Sequence, residues 1–340
     1  MINNYLIKKK GGDFLMNLMN FGAMESYKKI SGLGDRLIKV NVAINWEAFR
    51  PIIRKAYYDN QAGGRPHTDE VIIIKCLMLQ SWYGLSDPEL EFQINDRISF
   101  KNFLGYPETM PDFTTIWKAR ERLQKKGLDK KIWKQLQNQL ENKGFTIKKG
   151  VMQDATFIES DTGKKRMHYE KKAKKKGEKI DYTEKQLNHI DKDATFTIKN
   201  GQVHYGYKNH IKMDVKHQLI RDYEVTTAST HDSKINLITK NDKKAYLDKG
   251  YTGMKLSKKI INMTMKRAAR NHPLTEKQET QNKKISKIRN RVERPFSVIK
   301  RTMHNIINKT TTLARVKIKT MFQNFAYNTY QLITLLARAI

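Results

Sequence analysis

The chain has 340 residues, 66 of them Lys or Arg against 34 Asp or Glu, for a formal net charge of +32. Such a surplus repels itself unless a polyanion is present, so it points to nucleic acid, whose phosphates release counterions to Lys and Arg. One cysteine, Cys76, excludes a disulfide framework and a multi-cysteine zinc cluster, and there is no run of about eighteen apolar residues to cross a bilayer.

The length allows about two or three domains. Residues 1–65 are weakly patterned and read as an N-terminal arm. Lys8-Lys9-Lys10 runs straight into Gly11-Gly12-Asp13 without an apolar core, so it does not read as a signal peptide. The expected location is cytoplasmic and nucleoid-associated.

Residues 66–143 read as a helical DNA-binding region. Thr68 is placed to cap a helix that opens with Asp69 and Glu70, runs apolar to Trp82 and stops at Gly84. Cys76 lies in its apolar run and reads as core. Ser86-Asp87-Pro88-Glu89 is a capping box with Pro in the first turn, and Leu90, Ile94 and Ile98 follow at fourfold spacing. After Pro107 to Pro111, Asp112 or Thr114 opens a helix with a basic face of Lys118, Arg120 and Arg122. These elements suit a helix-turn-helix-like DNA reader and a plain helical scaffold equally. Trp82, Trp117 and Trp133 read as core.

From residue 144 the pattern becomes α/β, taken as one catalytic domain over 144–340. Strands are predicted at 150–157, 204–213, 219–226, 245–248 and 263–267. Helices are predicted at 229–240, 256–261 and along 275–308. Their order, β-β-β-α-β-α-β-α, fits one mixed sheet flanked by helices. A basic insertion at 160–190, with Lys171, Lys172, Lys174, Lys175 and Lys176, reads as a solvated loop that orders on DNA.

Three acids stand out by position: Asp154 inside an apolar strand, Asp248 at a strand end before a glycine turn, and Glu293 in the last helical tract. An acid in an apolar strand is costly unless compensated. Carboxylates from separate elements can hold two Mg²⁺ ions, which activate the attacking oxygen and stabilise the leaving one at a phosphodiester. At 100° per residue, Arg289, Glu293 and Lys300 share a helical face, with Pro295 marking a kink or restart. The plain alternative is an i,i+4 Arg–Glu surface pair. His204, His210 and His231 read as structural or phosphate-contacting. Asp191, Asp193 and Asp232 read as turn or cap acids.

The order of short motifs resembles the DDE transposases of bacterial insertion sequences, in particular the IS-five family. It runs from Ile44-Asn45-Trp46-Glu47 and Gly64-Arg65-Pro66 through Tyr83-Gly84-Leu85-Ser86-Asp87 and Pro111-Asp112-Phe113-Thr114-Thr115. It continues with Asp154-Ala155-Thr156, Asp193-Ala194-Thr195, the 204–210 segment, Thr230-His231-Asp232-Ser233, Asp248-Lys249-Gly250-Tyr251 and the 291–296 segment. The resemblance covers residue 45 to the C-terminus. It implies a ribonuclease-H-like fold and a metal-binding triad of Asp154, Asp248 and Glu293 with two Mg²⁺, or Mn²⁺ in substitution. It also implies a Tyr-x2-Arg-x3-Glu-x6-Lys signature, matched by Arg289, Glu293 and Lys300 but with Ser286 at the Tyr position. The implied partner is double-stranded DNA: terminal inverted repeats are bound, the 3′ ends are cut with water, and the new 3′-OH is joined to target DNA. Arg289, Lys300, Lys208, Lys118, Arg120 and the basic insertion are the expected DNA contacts. A homodimer or larger assembly on DNA is expected. The alternatives are a catalytically inactive or repurposed DNA-binding protein of the same fold and a plain metal-dependent nuclease.

Overall fold

The computed structural model describes residues 18–57, 66–161, 170, 172–178, 180–187, 190–269 and 272–338. Gly64, Arg65 and the 163–166 basic run lie outside them. No helix among the described residues is long and apolar enough to cross a membrane.

The N-terminal part is helical: α1 (Leu18–Ser31), α2 (Arg36–Ala43), α3 (Arg50–Ile53), α4 (Glu70–Tyr83), α5 (Asp87–Asp96), α6 (Ile98–Leu104), α7 (Phe113–Lys125) and α8 (Asp129–Asn142). Helix α4 is apolar on every side, and Ile73, Ile74, Cys76, Leu77, Met78 and Leu79 are fully buried. Its cap is Asp69, not Thr68. The Asp69 carboxylate accepts from the N–H groups of Val71 and Ile72 (2.8 and 3.2 Å) while Arg50 holds its other oxygen at 2.6 Å. An ionised cap suits the positive helix end better than a hydroxyl. Gly84 ends α4 in the left-handed region, Ser86 caps α5 and Asp112 caps α7.

The second part contains β1 (Val151–Ser160), α9 (Glu184–Leu187), β2 (Thr195–Lys199), β3 (Gln202–Asp214), β4 (Ile220–Thr227), β5 (Lys244–Leu247), β6 (Ile261–Thr264), α10 (Glu276–Arg289), α11 (Glu293–Ser297), β7 (Ile307–Asn308) and α12 (Leu313–Ala337). The sheet order is β2-β3-β1-β5-β6. Strand β4 pairs with β3, and β7 pairs with β1. β1, β3 and β4 are antiparallel, and β5 and β6 add in parallel. This is the mixed, ribonuclease-H-like layout that the motif order implied.

Three helical expectations are corrected. Residues 229–240 form only a 3-10 turn at Asp232–Lys234, because side chains take the backbone groups a helix would use. His231 accepts from Ser233 N, Asn236 from Ile238 N and Asp242 from Thr239 N, and Gln153 bonds both Ile235 O and Leu237 N. The predicted 256–261 helix is turn leading into β6, which starts two residues before the predicted strand because Ile261 pairs with Lys244. The 275–308 tract is broken. Pro295 has no N–H for the Arg291 carbonyl, the chain tightens into a 3-10 turn at Asn290–Val292, and it loosens into a π turn at Val298–Thr302. The single face expected for Arg289, Glu293 and Lys300 is therefore interrupted.

Helix α12 has no counterpart among the elements predicted from sequence. It crosses the molecule, touching α4, α2, α7 and α8 on one side and β4 on the other. One apolar cluster accordingly runs from Leu37 and Trp46 through Leu77 and Leu136 to Ile211, Tyr223 and Phe325. Its N-terminus is capped from a distance. Asp191 accepts from Thr312 N (3.1 Å) and Tyr207 Oη (2.6 Å), and Asp193 accepts from Leu313 N (2.8 Å). The capping expected of Asp191 and Asp193 is thus present, serving a helix some 120 residues away.

Gly206, in the middle of β3, has φ +138, and a Cβ there would sit 2.2 Å from the Ile158 carbonyl oxygen of β1. Gly206→Ala is therefore expected to lower stability by roughly 2–4 kcal/mol through strain and overpacking, which a denaturant melt of the two proteins side by side checks.

Candidate active site

Asp154 lies in the interior of β1. One edge of β1 is filled by β3, and the other meets β5 only at Val151 and Met152 and β7 only at Glu159 and Ser160. The Asp154 edge between them carries no strand among the described residues, and there the tract after α10 approaches β1. The Asp154 carboxylate accepts from Ala155 N (2.9 Å) and from Arg289 Nη1 (2.7 Å). Burial pushes its pKa up; Arg289 opposes this and Asp248 adds to it.

Asp248 follows β5 directly and begins the 3-10 turn Lys249–Tyr251. Because β5 runs parallel to β1 at its start, the two acids lie close enough for their charges to interact. Glu293 opens α11 and is 68% exposed, and its Oε1 is 3.9 Å from Arg289 Nη2. Arg289 itself is only 14% exposed. It is thus more than the surface partner of Glu293: it lies between the half-buried strand acid and the helix acid.

A hard divalent cation suits this donor set, since all three acids offer carboxylate oxygens from different elements. The repulsion between Asp248 and Asp154 is what such a cation offsets. Here the guanidinium of Arg289 supplies the positive charge and Glu293 stands in solvent, so no three metal-ligating side chains among the described residues are gathered into a cage.

Lys300 sits on the π turn, half-buried, and lines a small cleft with Thr156, Ile158, Asn305 and Gln323. Burial lowers its ammonium pKa, and Glu159 opposes that. Ser286, at the Tyr position of the signature, bonds Asn290 Oδ1 at 3.3 Å.

The remaining cations divide. Lys172, Lys174, Lys175, Lys176 and Lys118 are exposed; Lys171 lies outside the described residues. Arg120 and Lys208 both have partners within the chain. Arg120 grips Asp87 with two bonds of 2.8 and 2.6 Å. Lys208 is buried against Asp232 Oδ1 (2.9 Å) and Thr230 O (2.7 Å). Asp232 thus has an ion-pair role besides its turn. Trp117, read as core, is 42% exposed, whereas Trp82 and Trp133 are buried. His204 stacks on Phe157 and bonds Glu159 at 2.6 Å.

Tyr251 stood out in the sequence only as part of a motif. It is buried, and its ionisation is pushed up by burial first and then by the neighbouring Asp154, Asp232 and Asp248. Its Oη makes no hydrogen bond among the described residues. The signal available for it was its place three residues after Asp248.

His210 is fully buried on the sheet. Its Nε2 lies 2.9 Å from Thr226 Oγ1, and its Nδ1 has no partner. Burial pulls its pKa from 6.5 down to about 4. Its contribution is complete above pH 6.5 and is lost as pH falls towards 4, where the unfolded chain takes the proton and the folded one refuses it. His210→Gln is expected to remove up to about 3 kcal/mol of acid-side destabilisation. Melts of both proteins at several pH values across this window measure it as the wild-type minus variant difference, and equal pH profiles would contradict it.

A family model described as Transposase domain (DUF772) matches residues 24–122, and one described as Transposase DDE domain matches residues 145–329. No solved structure matches the chain.

Proposed function

We propose, from the premise that the chain belongs to the DDE transposase family, that it binds the terminal inverted repeats of an insertion sequence, cuts at the element ends and joins them to target DNA. The observation that carries this reading is Asp154 on the open edge of β1, beside Asp248 and held by Arg289. The motif set further supports membership of the IS-five family. Asp154, Asp248 and Glu293 would hold Mg²⁺, or Mn²⁺ in substitution, which supplies Lewis-acid activation of the attacking oxygen and charge stabilisation of the leaving one.

Both steps replace one P–O bond at phosphorus with another. In the first, a water oxygen attacks the phosphorus at the element end and the 3′-oxygen leaves as a hydroxyl. In the second, that 3′-OH attacks a target phosphodiester and a target 3′-OH leaves, so the number of bonds is conserved. Arg289 and Lys300 bind the phosphates at the cut end, and the insertion lysines bind the flanking duplex. Pairing two ends calls for a homodimer or larger assembly on DNA. Glu293 stands 68% exposed, which favours a second reading, a DNA-binding protein of the same fold that no longer cuts.

An assay of cleavage and joining on duplexes carrying the element's own ends separates the two. Asp154→Asn, Asp248→Asn and Glu293→Gln should each abolish cleavage while end binding survives. Arg289→Ala and Lys300→Ala should slow joining. Wild-type rates in Glu293→Gln would remove it from the triad, and a wild-type chain that binds ends without cutting supports the second reading.

Binding is expected to weaken steeply with salt. Changing Lys171, Lys172, Lys174, Lys175 and Lys176 to Gln should reduce the slope of log K against log salt by about 0.9 for each phosphate no longer neutralised. An unchanged slope would show that the insertion stays off DNA.

A further inference from the structure

Lys319 on α12 lies one turn after Arg315 and one turn before Gln323. Arg315 is bonded to Glu121 of α7 (Nε at 2.9 and 3.0 Å, Nη2 at 2.9 Å), and Gln323 Nε2 donates to Asn305 Oδ1 (3.0 Å). These two contacts pin the Lys319 stretch between α7 and the chain that follows the π turn. Lys319 is half-buried there, and no hydrogen bond or ion pair to it is present among the described residues.

The charges that act on Lys319 are those of Arg120 on α7, Asp87 at the start of α5 and Lys309 just after β7. Asp87 is not free to serve as its counter-ion. Its Oδ1 accepts from Arg120 Nη1 (2.8 Å) and Gln80 Nε2 (2.6 Å), and its Oδ2 accepts from Arg120 Nη2 (2.6 Å). Burial first, then Arg120, brings the Lys319 ammonium down to about 8; Asp87 opposes and Lys309 adds. Three cations thus share one acid whose oxygens are already engaged. A desolvated ammonium in that setting lacks an anion. Gln323, one turn further on, lines the cleft beside Lys300, so this cationic group continues the stretch that begins at Lys300.

We propose that Lys319 and Lys309 form a phosphate-binding site that carries the DNA backbone from Lys300 towards α7. The proposal rests on the transposase reading, and its test distinguishes the two.

The measurement is fluorescence anisotropy of a duplex bearing the element's end, titrated with the full chain across a salt series. Wild type is compared with Lys319→Gln, Lys309→Gln, Lys319→Arg and, as a charge-matched control, Lys143→Gln at the exposed end of α8. Lys319→Gln and Lys309→Gln should each lower the slope of log K against log salt by about 0.9, and the control should leave it unchanged. Between about pH 8 and 9, wild-type affinity should fall by up to about tenfold as Lys319 loses its proton, whereas Lys319→Arg should not share that fall. A wild-type slope in Lys319→Gln, or a pH response retained in Lys319→Arg, overturns the site while leaving the transposase reading intact. A wild-type chain with no salt-dependent affinity for duplex sinks that reading and the site with it. If Lys319→Gln does not fold, the pH comparison with Lys319→Arg decides alone.

Discussion

Asn328 holds both backbone groups of Ile220: the Ile220 N–H donates to its Oδ1 and its Nδ2 donates to the Ile220 carbonyl, each at 2.8 Å. Gln331 donates to His217 O (2.8 Å), Tyr327 to Gln218 O (2.8 Å), and Asn324 pairs with Asn209 (2.9 Å). A polar row along α12 thus takes over the end of β4, where the sheet has no further strand among the described residues, and supplies the bonds its backbone needs. Buried amides are costly unless satisfied, and here they are satisfied by partners more than 100 residues distant. That requirement fixes the position of α12. Since α12 also packs on α4, it fixes the helical region against the sheet and sets where Lys300 and Lys319 stand.

Around Asp154 the same physics runs the other way. Asn328 is neutral and both ends of its amide are paired with Ile220, so its burial favours one arrangement of the fold. Asp154 is a half-buried carboxyl close enough to Asp248 for their charges to interact. Its place in a strand cannot be explained by stability, because a hydrophobic residue there would pack without the desolvation cost. Arg289 offsets part of that cost with a 2.7 Å bond. The site is therefore held together by a cation from the chain itself, and the acids are preorganised by rigid elements, β1 and the end of β5, with only Glu293 reaching into solvent.

Much of this was legible in the sequence where local rules decide. Strands β1, β3, β4 and β5, the Gly84 stop and the Ser86 and Asp112 caps depend on residues within a few positions of one another. Asp154 and Asp248 were legible because an acid in an apolar strand and an acid at a strand end before glycine each break a local pattern. Helix α12 was not legible. Its Asn324, Asn328 and Gln331 interrupt the apolar periodicity, and their value appears only against β3, β4 and the turn between them. The 229–240 segment failed for the converse reason: its spacing resembles a helix, but Gln153 of β1 claims two of its backbone groups. Tyr251 carried no local signal beyond its motif.

Sequence also counts cations without counting their acids, and this decides which lysines matter. Arg120 has Asp87, Lys208 has Asp232, Lys212 has Asp242, Arg221 has Asp214, and Arg315 has Glu121. Each of these pairs compensates desolvation internally and holds two elements together, so none contributes a free charge to a passing phosphate. The described insertion lysines Lys172, Lys174, Lys175 and Lys176 are exposed, and a charge already in water gains little from being moved beside a phosphate other than released counterions. Lys300 and Lys319 belong to neither group. They are withdrawn from water, which lowers both ammonium pKa values, yet each has no bonded acid among the described residues. Buried Lys75 is compensated differently, by the Phe103 carbonyl at 2.8 Å and by the faces of Trp46 and Phe103, so Lys300 and Lys319 differ both from it and from the acid-paired cations.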